Sequence, residues 1–355
     1  MFWQKKKKGT VFVGLSGGVD SAVSAALLQA QGYKVVGVFI RISLPGYPCT
    51  AGVDKIDAMR AAAHLGIPFL EVDLSKEYAA QVFDTTRTEY AHGNTPNPDT
   101  LCNREIKFGA FYDFAKAHGA DFVATGHYAQ TKNGKLYVSA DDQKDQSYFL
   151  WMIPAHTLPH VLFPVGHLRK PQVRALAKKF TLPNASRKDS QGLCFLGDIT
   201  IEDMLAREIQ LVPGHVLDEQ GAVVGRHQGV QQYTLGQRHG FVLHAQTPDT
   251  LPHFVVSKDM GNNTLTVSTS PYPSGAQTTE VLLREVNWLG DVTPGPCEAR
   301  FRYRQPLLQA ELVATGPEAR VRIHAPRHIP LGQSLVLYSG DRCLGGGTVA
   351  QTTLQ

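Results

Sequence analysis

The hydrophobic pattern of the N-terminal third of the chain alternates between strand-like and helix-like segments. Continuous apolar runs at residues 10–15 and 33–42 predict buried strands, whereas residues 19–31 and 54–65 carry apolar side chains at helical spacing. Strands that alternate with helices in this way are typical of a parallel sheet covered by helices on both faces. We therefore expect an α/β fold that begins with a doubly wound parallel sheet.

The pattern changes in the second half of the chain to short alternating strands separated by Gly, Pro, Asn and Asp. Residues 254–257 and 265–267, for example, flank a turn at 259–263 and predict a β-hairpin. A chain of 355 residues is long enough for two to three cores. We expect a parallel-sheet domain over residues 1–205, a small central β-rich domain over 206–273 and a C-terminal β-barrel-like domain over 274–355.

The composition is that of an ordinary globular protein, with 43% apolar and 19% charged residues. Apolar runs end far short of the ~20 residues that a membrane span requires. Residues 1–8 are basic but continue into a strand without an apolar signal region. These features predict a cytoplasmic protein without membrane contact. A formal charge of +4 allows an anionic partner such as nucleic acid without requiring one.

The segment Ser16-Gly17-Gly18-Val19-Asp20-Ser21 lies between the first predicted strand and the first predicted helix. Open parallel sheets bind nucleotides at this position. Paired glycines let backbone N–H groups approach phosphate oxygens, serines add hydroxyl donors, and the helix start adds positive potential. The segment lacks the Gly-Lys-Ser/Thr ending of a P-loop. A Gly-Gly turn before a helix is often only a tight turn, but the position and both serines favour phosphate binding.

The five cysteines are an odd number without a C-x-x-C pair, which argues against a disulfide framework and a structural zinc site. Cys102 lies at the predicted start of a helix, where free N–H groups favour a thiolate. Cys194 lies between Gly192 and Gly197, in a segment that suits a mobile loop. An inert buried thiol is the alternative for each. His127 has no second ligand at useful spacing, so we predict no protein metal site.

Ordered sequence blocks along essentially the whole chain resemble the tRNA-specific 2-thiouridylases. Residues 16–21 resemble the pyrophosphate-binding loop of the PP-loop ATP pyrophosphatases, which cleave ATP to AMP and pyrophosphate. The further blocks are residues 97–99, 102–108, 124–128, 144–150, 190–197, 233–238, 301–305, 332–334 and 344–347.

This resemblance implies ATP-dependent 2-thiolation of the wobble uridine, position 34, of tRNA. O2 of the base would be adenylated, and sulfur from a cysteine persulfide would displace AMP. Cys194 would carry a persulfide received from a sulfur-relay protein. Cys102 would release that sulfur, leaving a transient Cys102–Cys194 disulfide. Asp99 would exchange a proton with the base, its alternative being a turn-forming Asp after Pro98.

The resemblance also implies the ligand contacts. The nucleotide would be bound by Gly14, Leu15, Ser16, Gly17, Gly18, Val19, Asp20, Ser21, Ile40 and Gly126. The tRNA would be bound by Asn97, Pro98 and Asp99 at the target base and by His127, Lys144, Asp145, Gln146, Arg302, Tyr303 and Gln333 elsewhere. Asp20 is a candidate ligand for a magnesium ion that accompanies ATP. Period-two alternation in residues 300–304 predicts three arginines on one strand face and two aromatic residues on the other.

The chain departs from the family at several positions. Ile40 stands where Met is common, residues 42–48 differ from a longer Trp-containing segment, and residues 239–244 replace a lysine and a glycine-rich run. The path of the 236–244 loop is therefore left open. Two alternatives to thiolation also stay open at this stage. One is an ammonia-using PP-loop ligase, in which both cysteines are dispensable, and the other is a tRNA-binding protein that has lost catalysis.

Overall fold

The computed structural model of the protein describes residues 8–47, 51–188, 194–195, 199–245, 251–272 and 274–355. Its N-terminal part alternates strands and helices as the hydrophobic pattern predicts. The strands are β1 (Thr10–Gly14), β2 (Lys34–Arg41), β3 (Phe69–Asp73), β4 (Phe122–Ala124), β5 (Gln130–Lys132), β6 (Lys135–Tyr137) and β7 (Val161–Leu162). The helices are α1 (Val19–Ala30), α2 (Ala51–Leu65), α3 (Ser75–Tyr78), α4 (Asp84–Ala91), α5 (Pro98–Cys102), α6 (Phe111–Ala117), α7 (Lys170–Lys179) and α8 (Ile201–Glu208).

The first sheet is parallel, with the strand order β3-β2-β1-β4-β7. Val11 and Val13 of the central strand β1 are fully buried, as expected for a strand covered on both faces. The chain runs from β1 outward to β2 and β3 and then returns to place β4 on the other side of β1. The carboxyl ends of β1 and β4 therefore flank a topological switch point, where open α/β sheets bind ligands.

Two helical segments of this domain contain π-helical stretches. α3 continues through residues Ala79–Phe83 into α4, and α5 continues through Asn103–Ala110 into α6. α5 begins at Pro98, and the Asn97 side chain caps it by accepting a hydrogen bond from the N–H of Thr100 at 3.3 Å. The prediction of a helix start at Cys102 is therefore wrong. The first-turn N–H groups belong to residues that precede Cys102.

The central part forms a second five-stranded sheet with the order β10-β9-β8-β12-β11. β11 and β12 form the predicted antiparallel hairpin. Val216, Val255 and Leu265 are fully buried beneath this sheet. Its strands are β8 (Gly214–Leu217), β9 (Val223–His227), β10 (Val242–Leu243), β11 (Phe254–Asp259) and β12 (Thr264–Ser268).

The C-terminal part forms a closed β-barrel, which confirms the predicted barrel-like fold. The order β13-β16-β15-β14-β17-β18 is closed by antiparallel pairing of β18 with β13, and closure leaves no free sheet edge in the ring. The strands are β13 (Thr279–Trp288), β14 (Gly295–Arg300), β15 (Leu308–Ala314), β16 (Ala319–Ile323), β17 (Ser334–Ser339) and β18 (Arg342–Leu354).

The parallel-sheet domain and the barrel are joined by both backbone pairing and a common core. The β5–β6 hairpin adds to β18 through the pairs Tyr137 with Arg342 and Leu136 with Cys343. Leu136, Cys343 and Tyr338 are fully buried in the same hydrophobic cluster as residues beneath the parallel sheet. The two parts thus form one packed unit. Within the described ranges, no helix combines the length and apolar character needed to cross a membrane.

Candidate active site at the carboxyl ends of the parallel strands

The glycine-rich loop that follows β1 is built to receive an anion. Gly17 adopts a φ of +78°, which favours glycine, and α1 begins directly afterwards with Gly18 as an N-cap that provides no side-chain hydrogen bond. The first-turn N–H groups of α1 are therefore available to phosphate oxygens. The Asn184 amide donates to the carbonyl oxygens of Gly17 at 2.7 Å and Gly18 at 3.2 Å, which fixes the loop carbonyls from the other side. This arrangement fits a polyphosphate.

Gly126, which follows β4, packs directly against this loop. A Cβ atom at Gly126 would lie 2.7 Å from the backbone nitrogen of Ser21, closer than a side chain can approach without displacing the loop. The Ser21 hydroxyl donates to the Gly18 carbonyl at 3.0 Å, and the Ser16 and Ser21 hydroxyl oxygens lie 3.3 Å apart. Of the other residues assigned to the nucleotide, Gly14 ends β1, and Leu15 and Ile40 are buried.

Asp20 is held by the side chains of Lys170 and Tyr128, neither of which was assigned a role from the sequence. The Lys170 ammonium group donates to both carboxylate oxygens at 2.8 Å, and the Tyr128 hydroxyl donates to Oδ1 at 2.9 Å. Lys170 is the first residue of α7 and lies 150 positions away in the chain. A lysine therefore accompanies a phosphate loop that lacks the lysine of a P-loop, although it comes from a different element.

The two cysteines implied in catalysis are free thiols, and Cys102 lies close enough to Cys194 to raise the pKa of that thiol. Cys102 ends α5 and is fully buried, whereas Cys194 is partly buried. The carbonyl of Cys194 accepts a hydrogen bond from the Tyr78 hydroxyl at 2.9 Å, and the Phe195 ring meets the Tyr78 ring edge-on at 6.1 Å. Of the segment 190–197, only these two residues are described. Gly192 and Gly197, which motivated the prediction of a mobile loop, lie outside the described residues.

Lys107 and His127 complete the surroundings of the thiols. The Lys107 ammonium group donates to the Cys194 sulfur at 3.6 Å and lies 3.5 Å from Nε2 of His127. Burial, assisted by the positive charge of Lys107, lowers the pKa of His127 well below its usual value. His127 is therefore neutral, and because Nε2 faces an ammonium donor, Nδ1 carries the hydrogen and donates to the Thr125 hydroxyl at 2.7 Å.

The charged groups of this cluster have opposing effects on the pKa values of Cys194 and Lys107. The neighbouring Cys102 thiol, followed by burial and the Asp99 carboxylate, raises the pKa of Cys194 well above its usual value, while Lys107 acts in the opposite direction. Burial acts to lower the pKa of Lys107, but Cys194, Cys102 and Asp99 together outweigh it and raise that pKa. Negative charge on Asp99 and on the cysteine sulfurs thus favours the ammonium form of Lys107.

Several residues implied in tRNA binding surround the Tyr148 hydroxyl. This buried hydroxyl donates to Oε1 of Gln333 at 3.1 Å, and the nearby Asn97 side chain partly offsets the rise that burial causes in its pKa. Pro98 and Asp99 follow Asn97 in the first turn of α5 and are partly buried. Tyr303 packs against Phe149, with ring centroids 4.7 Å apart. The structure therefore brings residues 97–99 close to the barrel residues Tyr303 and Gln333.

Residues 144–146 have different surroundings from one another. Asp145 is buried and accepts hydrogen bonds from the Arg300 guanidinium at 3.0 Å and the Ser139 N–H at 3.0 Å. Gln146 accepts from the backbone N–H of Tyr128 at 2.9 Å. Lys144 is partly exposed. Asp145 is thus engaged between the first domain and the barrel, on the inside of the protein.

The predicted alternation of residues 300–304 is wrong, because it requires a strand throughout. β14 ends at Arg300, and the following residues form a turn in which Arg304 adopts a φ of +61°. Arg300 is buried against Asp145, Arg302 donates to the carbonyl of Leu235 in the central domain, and Arg304 is exposed. The three arginines therefore point to three different environments.

Comparisons with known proteins first define a class that agrees with this architecture. Residues 9–198 match the family model described as the tRNA methyl transferase HUP domain. Residues 202–269 match the tRNA methyl transferase PRC-barrel domain, and residues 278–349 match the aminomethyltransferase beta-barrel domain. The chain is thus a three-part protein with a nucleotide-binding HUP domain followed by two β domains.

Relatives along the whole chain define the family more narrowly. The chain is 42% identical over 354 residues to the tRNA-specific 2-thiouridylase MnmA of Streptococcus agalactiae serotype Ia, covering 96% of this chain and 95% of the relative. It is 43% identical over 352 residues to the enzyme of the same name from Geobacillus thermodenitrificans, covering 96% and 94%. The chain belongs to the tRNA-specific 2-thiouridylase family. Among solved structures, NMN synthetase from Francisella tularensis aligns with a TM-score of 0.38 and 21% identity over 56% of this chain and 73% of that one.

Proposed function

We propose that this protein is an ATP-dependent tRNA sulfurtransferase that converts the uridine at wobble position 34 into 2-thiouridine. The observation that carries the proposal is the pair of free thiols, Cys102 and Cys194, which Lys107 and His127 connect to Gly126 and to the phosphate loop that packs against it. The membership of the family supports it over the full length of the chain. Free thiols that must remain reducible also suit a cytoplasmic enzyme.

ATP would be held by the loop of residues 16–21 and by Gly126, together with Gly14, Leu15 and Ile40. When bound, ATP supplies the AMP group that turns the uridine O2 into a leaving group. The loop's part is to orient the phosphates through the first-turn N–H groups of α1. Because Lys170 occupies both oxygens of Asp20, we expect any accompanying magnesium ion to be bound chiefly through the phosphates.

The two cysteines would deliver the sulfur, with Cys194 loaded as a persulfide by a sulfur-relay protein. The Cys102 sulfur attacks the inner sulfur of Cys194, and the bond to the outer sulfur breaks. With the persulfide present as its anion, the electron pair of the broken bond and the proton of Cys102 leave with the outer sulfur as hydrosulfide, HS⁻, and a Cys102–Cys194 disulfide remains. The Cys102 sulfur is oxidised from thiol to disulfide, the inner Cys194 sulfur keeps its oxidation state, and the outer sulfur is reduced to sulfide. The hydrosulfide then displaces AMP from C2 of the base.

Residues 97–99 and the barrel residues are assigned to the tRNA in this proposal. Asp99 lies one helical turn before Cys102, so a base that reaches the thiol also reaches the carboxylate, which exchanges a proton with the ring. Tyr303 offers a ring for stacking and Gln333 an amide for hydrogen bonding to an unpaired base. The other residues assigned to the tRNA would act at the edge of this site or hold its parts together; they are His127, Lys144, Asp145, Gln146 and Arg302.

The test is a reconstituted reaction containing the full chain, unmodified tRNA, ATP and inorganic polysulfide to load Cys194. The wild-type protein should release AMP and pyrophosphate and form 2-thiouridine, which is measured by mass spectrometry of digested tRNA. Cys194→Ser should form no 2-thiouridine but should still release pyrophosphate. Cys297→Ala, which removes a buried barrel thiol, is the matched control and should behave as the wild type. Formation of ADP, or thiolation that survives Cys194→Ser, would refute the proposal.

The same experiment separates the two alternatives. An ammonia-using ligase would release pyrophosphate with ammonium ions and would not need either cysteine. A tRNA-binding protein without catalysis would retain tRNA in a filter-binding assay but would release no pyrophosphate. Neither alternative requires the neighbouring free thiols Cys102 and Cys194.

A further inference from the structure

Lys107 brings an ammonium group into contact with the reacting sulfur. Its Nζ lies 3.6 Å from the Cys194 sulfur and 3.5 Å from Nε2 of His127, and it also faces the ring of Phe195 at 5.8 Å. Neutral His127 adds no positive charge at this point. A cation held among an aromatic ring, a neutral imidazole and two thiols is poorly hydrated, and its attraction for an anion is correspondingly strong.

The backbone explains how Lys107 reaches the thiols. Residues five apart in an α-helix differ by about 140° in direction, so Cys102 and Lys107 would point to different sides. In the π-helical stretch Asn103–Ala110, hydrogen bonds connect residues five apart, as in the bond from the Phe111 N–H to the Ile106 carbonyl. This geometry places residues five apart nearly above one another. The π-helical stretch therefore turns Lys107 toward the face that carries Cys102.

The charged groups around Cys194 indicate what Lys107 does there. The titratable and charged groups that face Cys194 are Tyr78 of α3, Asp99 and Cys102 of α5, Lys107 and His127. Of these, only Lys107 is a cation within the described residues. A persulfide anion at Cys194 would therefore meet both the Asp99 carboxylate and the Lys107 ammonium group.

We propose that Lys107 is a further catalytic residue of the sulfur transfer, whose ammonium group stabilises the negative charge on sulfur from the Cys194 persulfide to the released hydrosulfide. The inference rests on the proposed function and adds to it the group that stabilises the sulfur while it is negatively charged. In the step, Lys107 keeps its proton throughout. The charge begins on the outer persulfide sulfur, and after Cys102 attacks the inner sulfur it is found on the departing HS⁻, still beside Lys107.

The experiment measures sulfide release in a single turnover, independently of tRNA and ATP. The full chain is loaded with inorganic polysulfide, freed of excess reagent and followed with a sulfide-specific probe between pH 6 and pH 9.5, with Cys194→Ser as the background. Lys107→Gln should release sulfide at least about tenfold more slowly near pH 7.5, and its pH profile should move upward by about one to three units, because an opposite charge at this distance shifts a pKa by that amount. Lys107→Arg should keep most of the rate and the wild-type profile.

Two controls make the result specific. Lys116→Gln removes an exposed positive charge from α6, further along the same helical segment, and should match the wild type. Thermal unfolding of Lys107→Gln, followed by circular dichroism, should remain a single cooperative transition close to that of the wild type, which shows that the variant is folded. Should Lys107→Gln fail this check, Lys107→Met serves as the second neutral variant.

The outcomes distinguish this inference from the proposed function. An unchanged rate of sulfide release and an unchanged pH profile in both neutral variants would overturn the role of Lys107. An equal loss of rate in Lys107→Arg would also overturn it, because the rate would then depend on the shape of the lysine side chain and not on its charge. Lys107-dependent sulfide release in a wild-type protein that forms no 2-thiouridine would instead overturn the proposed function while supporting the charge role of Lys107.

Discussion

At Gly126 the chain passes so close to the phosphate loop that no side chain fits. A Cβ atom there would lie 2.7 Å from the Ser21 nitrogen and 2.8 Å from the carbonyl carbon of Asp20, and both neighbours are backbone atoms. Backbone atoms of a packed loop yield less easily than the end of a flexible side chain. The requirement for glycine therefore comes from the contact between β4 and the loop, since the φ of Gly126 is not positive.

We predict that Gly126→Ala impairs nucleotide use while the protein stays folded. The added methyl group displaces the loop at a cost of about 1–3 kcal/mol, so the KM for ATP in the pyrophosphate-release assay should rise roughly tenfold or more. Gly52→Ala is the matched control, because a Cβ at Gly52 meets no atom within 4 Å. An unchanged KM in Gly126→Ala would contradict the contact.

Individual residues also show where sequence reasoning succeeds and fails. The loop of residues 16–21 was predictable because all its members are neighbours in the chain. The partners of that loop were not, since Lys170 and Asn184 reach it only through the folding of β7 and α7. Lys107 lies within a sequence block that resembles the family, but its approach to Cys194 depends on the π-helical stretch 103–110. The spacing of apolar residues is interpreted with the α-helical repeat and does not reveal such a stretch.

At the scale of single elements, strand β11 contains Lys258, whose charged form is destabilised by burial. The Lys258 ammonium group donates to the carbonyl of Tyr233 at 2.6 Å, and burial lowers its pKa from 10.5 to about 8. Between about pH 8 and pH 10.5 the unfolded chain therefore binds a proton that the folded chain has lost. Stability increases with pH wherever the unfolded state binds more protons, so this group destabilises the fold fully below pH 8 and progressively less above it.

We predict that Lys258→Met removes part of the pH dependence of stability. Between pH 7.5 and pH 10 the Tm of the wild type should rise relative to that of the variant by roughly 2–4 °C, measured by circular dichroism. Lys178→Met, which removes an exposed lysine of α7, should follow the wild type. Parallel Tm curves for wild type and Lys258→Met would show that the ammonium group is hydrated in the folded protein.

Element boundaries illustrate the same limit of sequence reasoning. The alternation of residues 300–304 is real in residue type, but β14 ends at its first member and a turn follows. The start of α5 had a local signal, Asn97 followed by Pro98, which is a good N-cap and first-turn pair. The apolar periodicity used to place the helix begins only after those residues, so the start was placed too late. The sheet order depends on contacts between distant segments.

At the scale of the whole molecule, Asp145 and Arg300 connect the first domain to the barrel. Both are buried, and the Asp145 carboxylate also accepts hydrogen bonds from Ser139 and Ser147. Arg300 lies over the ring of Tyr338 at 4.6 Å. Because these groups lie within the core shared by both parts, we expect the parallel-sheet domain and the barrel to unfold together.

We predict that Asp145→Asn destabilises this joint unit by about 3–5 kcal/mol, because the Arg300 charge then stays buried without its counter-ion. Calorimetry should show one transition for the two parts, moved to lower temperature in the variant. Asp142→Asn, at an exposed position three residues earlier, should leave the transition unchanged. Separate transitions for the two parts would contradict the shared core. A loss of tRNA affinity without a loss of stability would instead indicate that Asp145 contacts the tRNA directly.

The attachment of Cys194 to the rest of the protein has a consequence for the order of events in a reaction cycle. Tyr78 holds this residue through its main-chain carbonyl, and Phe195 contacts the same tyrosine ring, so neither contact involves the sulfur atom. The anchor is therefore the same for a thiol, a persulfide and a disulfide. Cys194 can therefore pass through all three chemical forms in the same position. A change at its sulfur atom does not by itself break the contacts that hold the residue.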